Sequence, residues 1–284
     1  MNFMKFRPLF LIISVSLLFA SVFSIIKWGF QWSVDFSGGS SWQISLPSKP
    51  DTNEIKKIFS DEKINLESIS NNQEKYSLKF ENISSDQKNK IDQSLKKLDQ
   101  NFVDLQFETL GPVLGKELLK KTVYAIILSA LSLLLFIGTR FKDLSFGASA
   151  VLAMFHDAII LVGSFSILGH FFGAEVDALF VTAILTTLSA SVHDTVVTFD
   201  RIRELRRNTY QLDWVQLANQ AISEVIVRSI NNSMTIIFML FSLVVLGGAS
   251  TRWFATALLI GVICGTYSST AVAIPLMLLS KKKK

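Results

Sequence analysis

Cysteine is nearly absent from this chain of 284 residues: Cys264 is the only one, and it lies in an apolar run. A single thiol closes no disulfide within one chain and supports no cysteine-based metal site, so it reads as a small residue inside a helix. A basic stripe with interleaved aromatics is also missing, which sets nucleic acid aside despite a net charge of +5. No ATP-binding motif occurs, and no set of residues offers a credible hydrolytic nucleophile or metal centre. The charge that is present is unevenly placed. Residues 27–121 balance 14 Lys against 14 Asp and Glu, so the whole excess belongs to the remainder of the chain. There it gathers at the ends of apolar runs, which suits membrane topology.

Half of all residues are hydrophobic and mean hydropathy is +0.41. Six apolar segments are long enough to cross a bilayer, which takes about 20 residues. They lie near Leu9–Ile26, Val123–Thr139, Leu144–Leu168, Ala178–Phe199, Ser229–Gly247 and Phe254–Leu279. Lys5 and Arg7 precede the first, and Arg140 and Lys142 separate the second from the third. Arg201, Arg203, Arg206, Arg207 and Arg228 separate the fourth from the fifth, and Lys281 to Lys284 follow the last. The connection Gly169–Asp177 holds no Lys or Arg, and Gly248–Trp253 holds only Arg252. Positive charge stays on the cytoplasmic side, so both termini are expected inside. The first run is too long for a cleaved signal peptide and reads as an uncleaved anchor. Trp28 and Trp32 then fall where an interfacial aromatic belt belongs.

The expected division is an anchor with its interfacial segment (1–32), an outer domain (33–121) and a membrane bundle (122–284). Within the outer domain, strand signals at Ser40–Leu46, Leu66–Ser70, Tyr76–Phe80 and Phe102–Phe107 alternate with amphipathic helices at Asp51–Lys63 and Ser85–Leu98. The order β-α-β-β-α-β is that of an α+β ferredoxin-like fold. The domain offers no catalytic constellation and reads as a binding or lever module.

Chemistry concentrates in the fourth span, which carries His193-Asp194 inside its apolar run and continues into Asp200-Arg201-Ile202-Arg203. A carboxylate in the hydrocarbon costs about 2.5–3.5 kcal/mol on insertion scales, so it normally has a partner and a task, and ion or proton traffic is the leading one. Asp194 lies about 9 Å inside the boundary set by Asp200, at 1.5 Å per residue. Arg228 sits at the edge of the fifth span, from which a guanidinium reaches inward. Protonation of Asp194 would compete with that pairing, against the alternatives of a permanent ion pair or an arginine that snorkels to the interface. His156-Asp157 lies deeper in the third span. Two His-Asp pairs invite a metal, but neighbouring residues on a helix diverge by about 100° and the pairs differ in depth by roughly 10 Å. Asp157 is left as a proton relay or a polar contact between helices. Asn231 and Asn232 hydrate a half-channel or bond across helices, and Gly261, Gly265 and Ser269 form a small-residue ridge that packs within the bundle or against a partner.

Several of these residues fall into motifs. Val34-Asp35-Phe36-Ser37-Gly38-Gly39 follows the first span, and its paired glycines permit a tight turn and close backbone approach. Asp194-Thr195-Val196-Val197, Phe199-Asp200-Arg201-Ile202-Arg203-Glu204, Val227-Arg228-Ser229, Leu246-Gly247-Gly248 and Gly261 to Ser269 come later, in that order. Together they resemble the SecD/SecF family of the bacterial protein-export machinery, in its SecF branch, over nearly the whole chain. The resemblance implies a polytopic inner-membrane subunit related to the RND superfamily, whose six spans pair with six of SecD and place an ion site between halves. It implies use of the proton-motive force to assist preprotein translocation beside the SecYEG translocon, with YajC- and YidC-type proteins as further neighbours and no cofactor. On that basis Asp194 and Arg228 carry proton coupling, with His193, Asp157 and His156 as secondary groups. His193 departs from the family, where a neutral amide is frequent at that place, and it shares the proton or only hydrogen-bonds a neighbour. The rivals are an RND-type half-transporter for lipids or small molecules, a membrane-protein assembly scaffold, and an intramembrane hydrolase.

Overall fold

The computed structural model describes residues 2–72, 74–208 and 212–281. The lysines at 282–284 expected after the last span lie outside the described residues. A 3-10 turn, Phe3–Phe6, leads into α1 (Arg7–Trp28), followed by the short α2 (Val34–Ser37). Then come β1 (Gly39–Ser45), α3 (Thr52–Asp61), β2 (Leu66–Asn72), β3 (Lys75–Phe80), α4 (Ser85–Leu98) and β4 (Val103–Leu110). The remainder is helical: α5 (Pro112–Arg140), α6 (Leu144–Phe172), α7 (Ala178–Asn208), α8 (Trp214–Leu246), α9 (Ala249–Ser268), a π turn (Ser269–Ala273) and α10 (Ile274–Lys281). Two compact units result, one of residues 1–31 and 124–284 and one of residues 32–123.

Among the described residues, six helical segments are long and apolar enough to cross a membrane: Phe3–Trp28, Val113–Arg140, Leu144–Phe172, Ala178–Asn208, Trp214–Leu246 and Thr251–Lys281. The fifth begins well before the expected Ser229. Asp213 and Gln216 form a reciprocal capping box, with Gln216 N donating to Asp213 Oδ1 at 2.7 Å and Asp213 N donating to Gln216 Oε1 at 3.2 Å. Such a box starts a helix by satisfying its orphan amides. The turns it opens are amphipathic, burying Leu217, Ala218, Ala221, Ile222 and Val225, so a search for continuous apolar runs misses them. The last span is interrupted by the π turn at Ser269–Ala273. Pro275 lacks an N–H and its ring crowds the carbonyl of residue 271, and the wider turn just ahead of it relieves that conflict.

Bare backbone sets the closest helix crossings. A Cβ on Gly163 of α6 would fall 2.3 Å from Ser21 Cβ of α1, and Ser24 Oγ donates to Gly163 O at 3.0 Å. A Cβ on Gly261 of α9 would fall 1.9 Å from Thr187 Cγ2 of α7, and one on Gly265 would meet Ser191 Cα at 3.4 Å. The small-residue ridge therefore faces α7, inside the bundle.

In the other unit a four-stranded sheet runs in the order β2-β3-β1-β4, with each neighbouring pair antiparallel. Alternate residues Trp42, Ile44, Tyr76, Leu78 and Phe80 turn to one face and pack with Ile55 and Phe59 of α3 and Ile91 and Leu95 of α4, all fully buried. Gly38 and Gly39 take φ of 75° and 106°, the region that costs a side chain most. A Cβ on Gly39 would lie 2.9 Å from Phe80 O, so the start of the central strand β1 needs the bare backbone there.

Candidate functional site

Asp194 and His193 project from α7 into a cleft of about 650 Å³ between α7, α8 and α9. Ser189, Asn232, Gly265 and Thr266 share its walls. His193 is exposed and Asp194 half-buried. Among the described residues the Asp194 carboxylate has no side-chain hydrogen bond or ion pair, and Thr198 Oγ1 donates only to its backbone oxygen, at 3.1 Å. The pairing expected with Arg228 is not formed. Arg228 lies on α8 one turn before Asn232, and its side chain stays exposed. An arginine near a helix end gains more by keeping its head in water than by entering the cleft. Asn232 supplies the cleft with an amide that has no cross-helix bond among the described residues.

Behind this cleft lies a second polar cluster. His156 and Asp157 are 5 % and 4 % exposed. His156 Nδ1 lies 2.9 Å from Asp157 Oδ1. The other carboxylate oxygen, Oδ2, accepts from Ser191 Oγ of α7 at 2.6 Å and from Ser268 Oγ of α9 at 2.5 Å. One carboxylate thus ties α6 to both neighbours, which is how a buried charge is made tolerable. Two buried polar atoms close to these groups in sequence, His156 Nε2 and Thr195 Oγ1, have no hydrogen-bond partner among the described residues. The structure does not gather the two His-Asp pairs: among the described residues no three His, Cys, Asp or Glu side chains converge as a metal site would require. Cys264 is partly buried and unbridged.

Ser191 and Ser268 bond the Asp157 carboxylate in this candidate site, and reading the sequence missed both. A signal existed for the first, because Thr187, Ser191 and Thr195 repeat at four-residue spacing and form a hydroxyl stripe along one helix face.

The remaining motif residues organise the boundaries. Asp200 pairs with Arg140 at the end of α5 and with Arg203 at 3.2 Å, and Arg201 pairs with Glu224 of α8 and with Glu204 at 2.6 Å. At the start of α6, burial pushes the Asp143 carboxyl up, but hydrogen bonds from Lys281 and the Ser145 amide outweigh it and hold the group below the usual carboxylate range. Asp35 and Phe36 belong to the other unit, in α2. Ser33 caps that helix by accepting from Asp35 N at 3.1 Å. A Cβ on Gly115 would come within 3.2 Å of Phe36 O and 3.3 Å of Asp35 O.

The family model described as protein export membrane protein SecD/SecF, C-terminal, matches residues 90–283. The chain belongs to the SecD/SecF family. Relatives named protein translocase subunit SecF match nearly the whole of it. One from Thermobaculum terrenum is 34 % identical, covering 94 % of this chain and 90 % of its own. Another from Haemophilus influenzae is also 34 % identical, covering 96 % of this chain and 84 % of its own. The crystal structure of a Thermus SecDF, titled a translocon-associated membrane protein, superposes with a TM-score of 0.88 at 26 % identity. It covers all of this SecF-like chain, which in turn spans 39 % of that longer polypeptide.

Proposed function

We propose that this chain is a SecF-type accessory subunit of the bacterial protein-export machinery. Acting with SecD in the inner membrane, it uses the proton-motive force to promote preprotein translocation through the SecYEG translocon. It works without a cofactor or catalytic residues, and YajC- and YidC-type proteins are its further neighbours. Asp194 takes up and releases the proton. The observation that carries this reading is the half-buried Asp194 carboxylate, unpaired among the described residues, in a cleft of about 650 Å³ between three spans of a SecD/SecF-family chain. Such a group changes its electrostatic environment when protonated, and helix packing responds to that change. Arg228, one turn from the cleft wall, is the cation that engages Asp194 in another state of the cycle, and His193 modulates the exchange with water. Residues 33–121 form a ferredoxin-like domain on the outer side, supported by the β-α-β-β-α-β order and the antiparallel strand order β2-β3-β1-β4. Residues 1–32 anchor it and residues 122–284 form the bundle, with both termini cytoplasmic.

The test is preprotein translocation into vesicles carrying this chain with its SecD partner, with and without a proton gradient. The gradient is expected to stimulate the wild type and not Asp194→Asn, while both assemble alike. An equal response in the two would make the carboxylate structural and refute the coupling role.

A further inference from the structure

The cleft and the buried cluster behind it are separated by very little. Gly265 lines the cleft, and its bare backbone lies against Ser191, whose Cα would sit 3.4 Å from an added Cβ. On its other side Ser191 Oγ donates to Asp157 Oδ2 at 2.6 Å. Ser191 is one turn from Asp194 on the same helix, so their Cα atoms differ in height by about 4.5 Å. We propose that Ser191 is a proton-relay residue joining the Asp194 cleft to Asp157, and that Asp157 is a second proton acceptor held in place by Ser268. The inference rests on the proton-coupling reading above and adds the inner half of its path.

The step balances without a further reactant. Ser191 is buried behind the cleft wall, so a hydronium ion that passes the bare backbone of Gly265 gives its proton to Ser191 Oγ as the existing Ser191 O–H bond breaks toward Asp157. A carboxyl O–H forms on Oδ2, the serine hydroxyl is regenerated, and one water is left in the cleft. The charge enters a site ready for it. The two short hydroxyl bonds to Oδ2 orient the carboxylate, and hydroxyls can reverse their role because each carries two lone pairs beside its single donor. Four ionisable groups surround this path: His156, bonded to Oδ1; Cys264 on α9, within electrostatic reach of the carboxylate; and His193 and Asp194 on α7 at the cleft. The facing stretch of α1 contributes Ser21 and Ser24, which carry no charge. His156 Nε2, buried and without a partner among the described residues, gives the inner pair a further polar end.

Infrared difference spectroscopy on the full chain in lipid vesicles, titrated from neutral to acid pH, reads this directly through the C=O stretch of protonated carboxyls. The expected result is a band that persists in Asp194→Asn, is lost in Asp157→Asn, shifts in frequency in Ser191→Ala and returns toward its wild-type position in Ser191→Thr. A merely structural serine would not move a carboxyl frequency and have the hydroxyl variant restore it. If Asp157→Asn fails to fold, Ser191→Ala with isotope-labelled aspartate still decides the matter. The proposal is overturned if the only band belongs to Asp194, or if the Asp157 band is unmoved in Ser191→Ala. Both readouts are independent of preprotein transport, so loss of gradient coupling at Asp194 and failure of the relay are told apart.

Discussion

At the scale of single residues, two glycines on one ridge carry different loads. A Cβ at Gly261 would lie 1.9 Å from Thr187 Cγ2 and 2.6 Å from Thr187 Cβ. Thr187 has little freedom to move aside, being β-branched and donating its hydroxyl to Ile184 O at 2.9 Å. At Gly265 the nearest atoms stand at 3.4–3.7 Å, ordinary contact distances. Gly261→Ala is therefore expected to destabilise the bundle by about 1–3 kcal/mol through overpacking. Gly265→Ala should stay within about 0.5 kcal/mol of wild type. Unfolding of the reconstituted chain followed by tryptophan fluorescence measures both. Equal losses would mean that the ridge acts as a uniform small-residue motif rather than through one steric clash.

At the scale of elements, the ends of α5, α7 and α8 are tied by ion pairs, and their sequence prominence overstates their energy. Arg140 and Asp200 are 49 % and 32 % exposed in their side chains. Exposed pairs of this kind contribute about 0.2–1 kcal/mol. A double-mutant cycle with Arg140→Ala and Asp200→Ala should give a coupling energy in that range, falling in high salt. A coupling several times larger would show that the pair is desolvated in the membrane-bound protein. The sequence was legible where periodicity is strong. The alternation in β1 and β3 and the amphipathic pattern of α4 place those elements within a residue or so of their ends, because each buries one face against a single core. The start of α8 was not legible from apolar runs, since its first turns are held by a capping box and a narrow buried stripe. The carboxylate at Asp194 stood out because a charge in an apolar run is rare. Arg228 was named from the sequence as its partner, but such a pairing depends on which way a long side chain turns at the interface, and Arg228 turns outward. The Asp157 cluster was visible only by half. Adjacency in sequence links His156 with Asp157, but Ser191 and Ser268 reach the carboxylate through the packing of α6, α7 and α9, which no local pattern encodes.

At the scale of the whole molecule, the distribution of charge argues for one orientation in the membrane. Cations cluster at the start of α1 (Lys5, Arg7), at the α5–α6 boundary (Arg140, Lys142), and on the facing ends of α7 and α8 (Arg201, Arg203, Arg206, Arg207 and Arg228), whereas the α6–α7 connection has none and the α8–α9 boundary only Arg252. Membrane insertion keeps such clusters on the cytoplasmic side, and an even number of spans returns the chain to the side on which it began. On that proposed orientation the segment between the first and second spans, with its balanced charge, is expected on the outer side. The single native thiol makes this simple to test. In a Cys264→Ala background, Lys97→Cys and Arg207→Cys each place a thiol at an exposed position, the first on α4 of the sheet-bearing unit and the second at the end of α7. A membrane-impermeant maleimide applied to intact spheroplasts is expected to label the first and spare the second, with the second labelled only after permeabilisation. The reverse pattern would invert the topology. It would also put the Asp194 cleft at the wrong depth relative to the inward proton gradient, so that coupling through it would need a path from the opposite face.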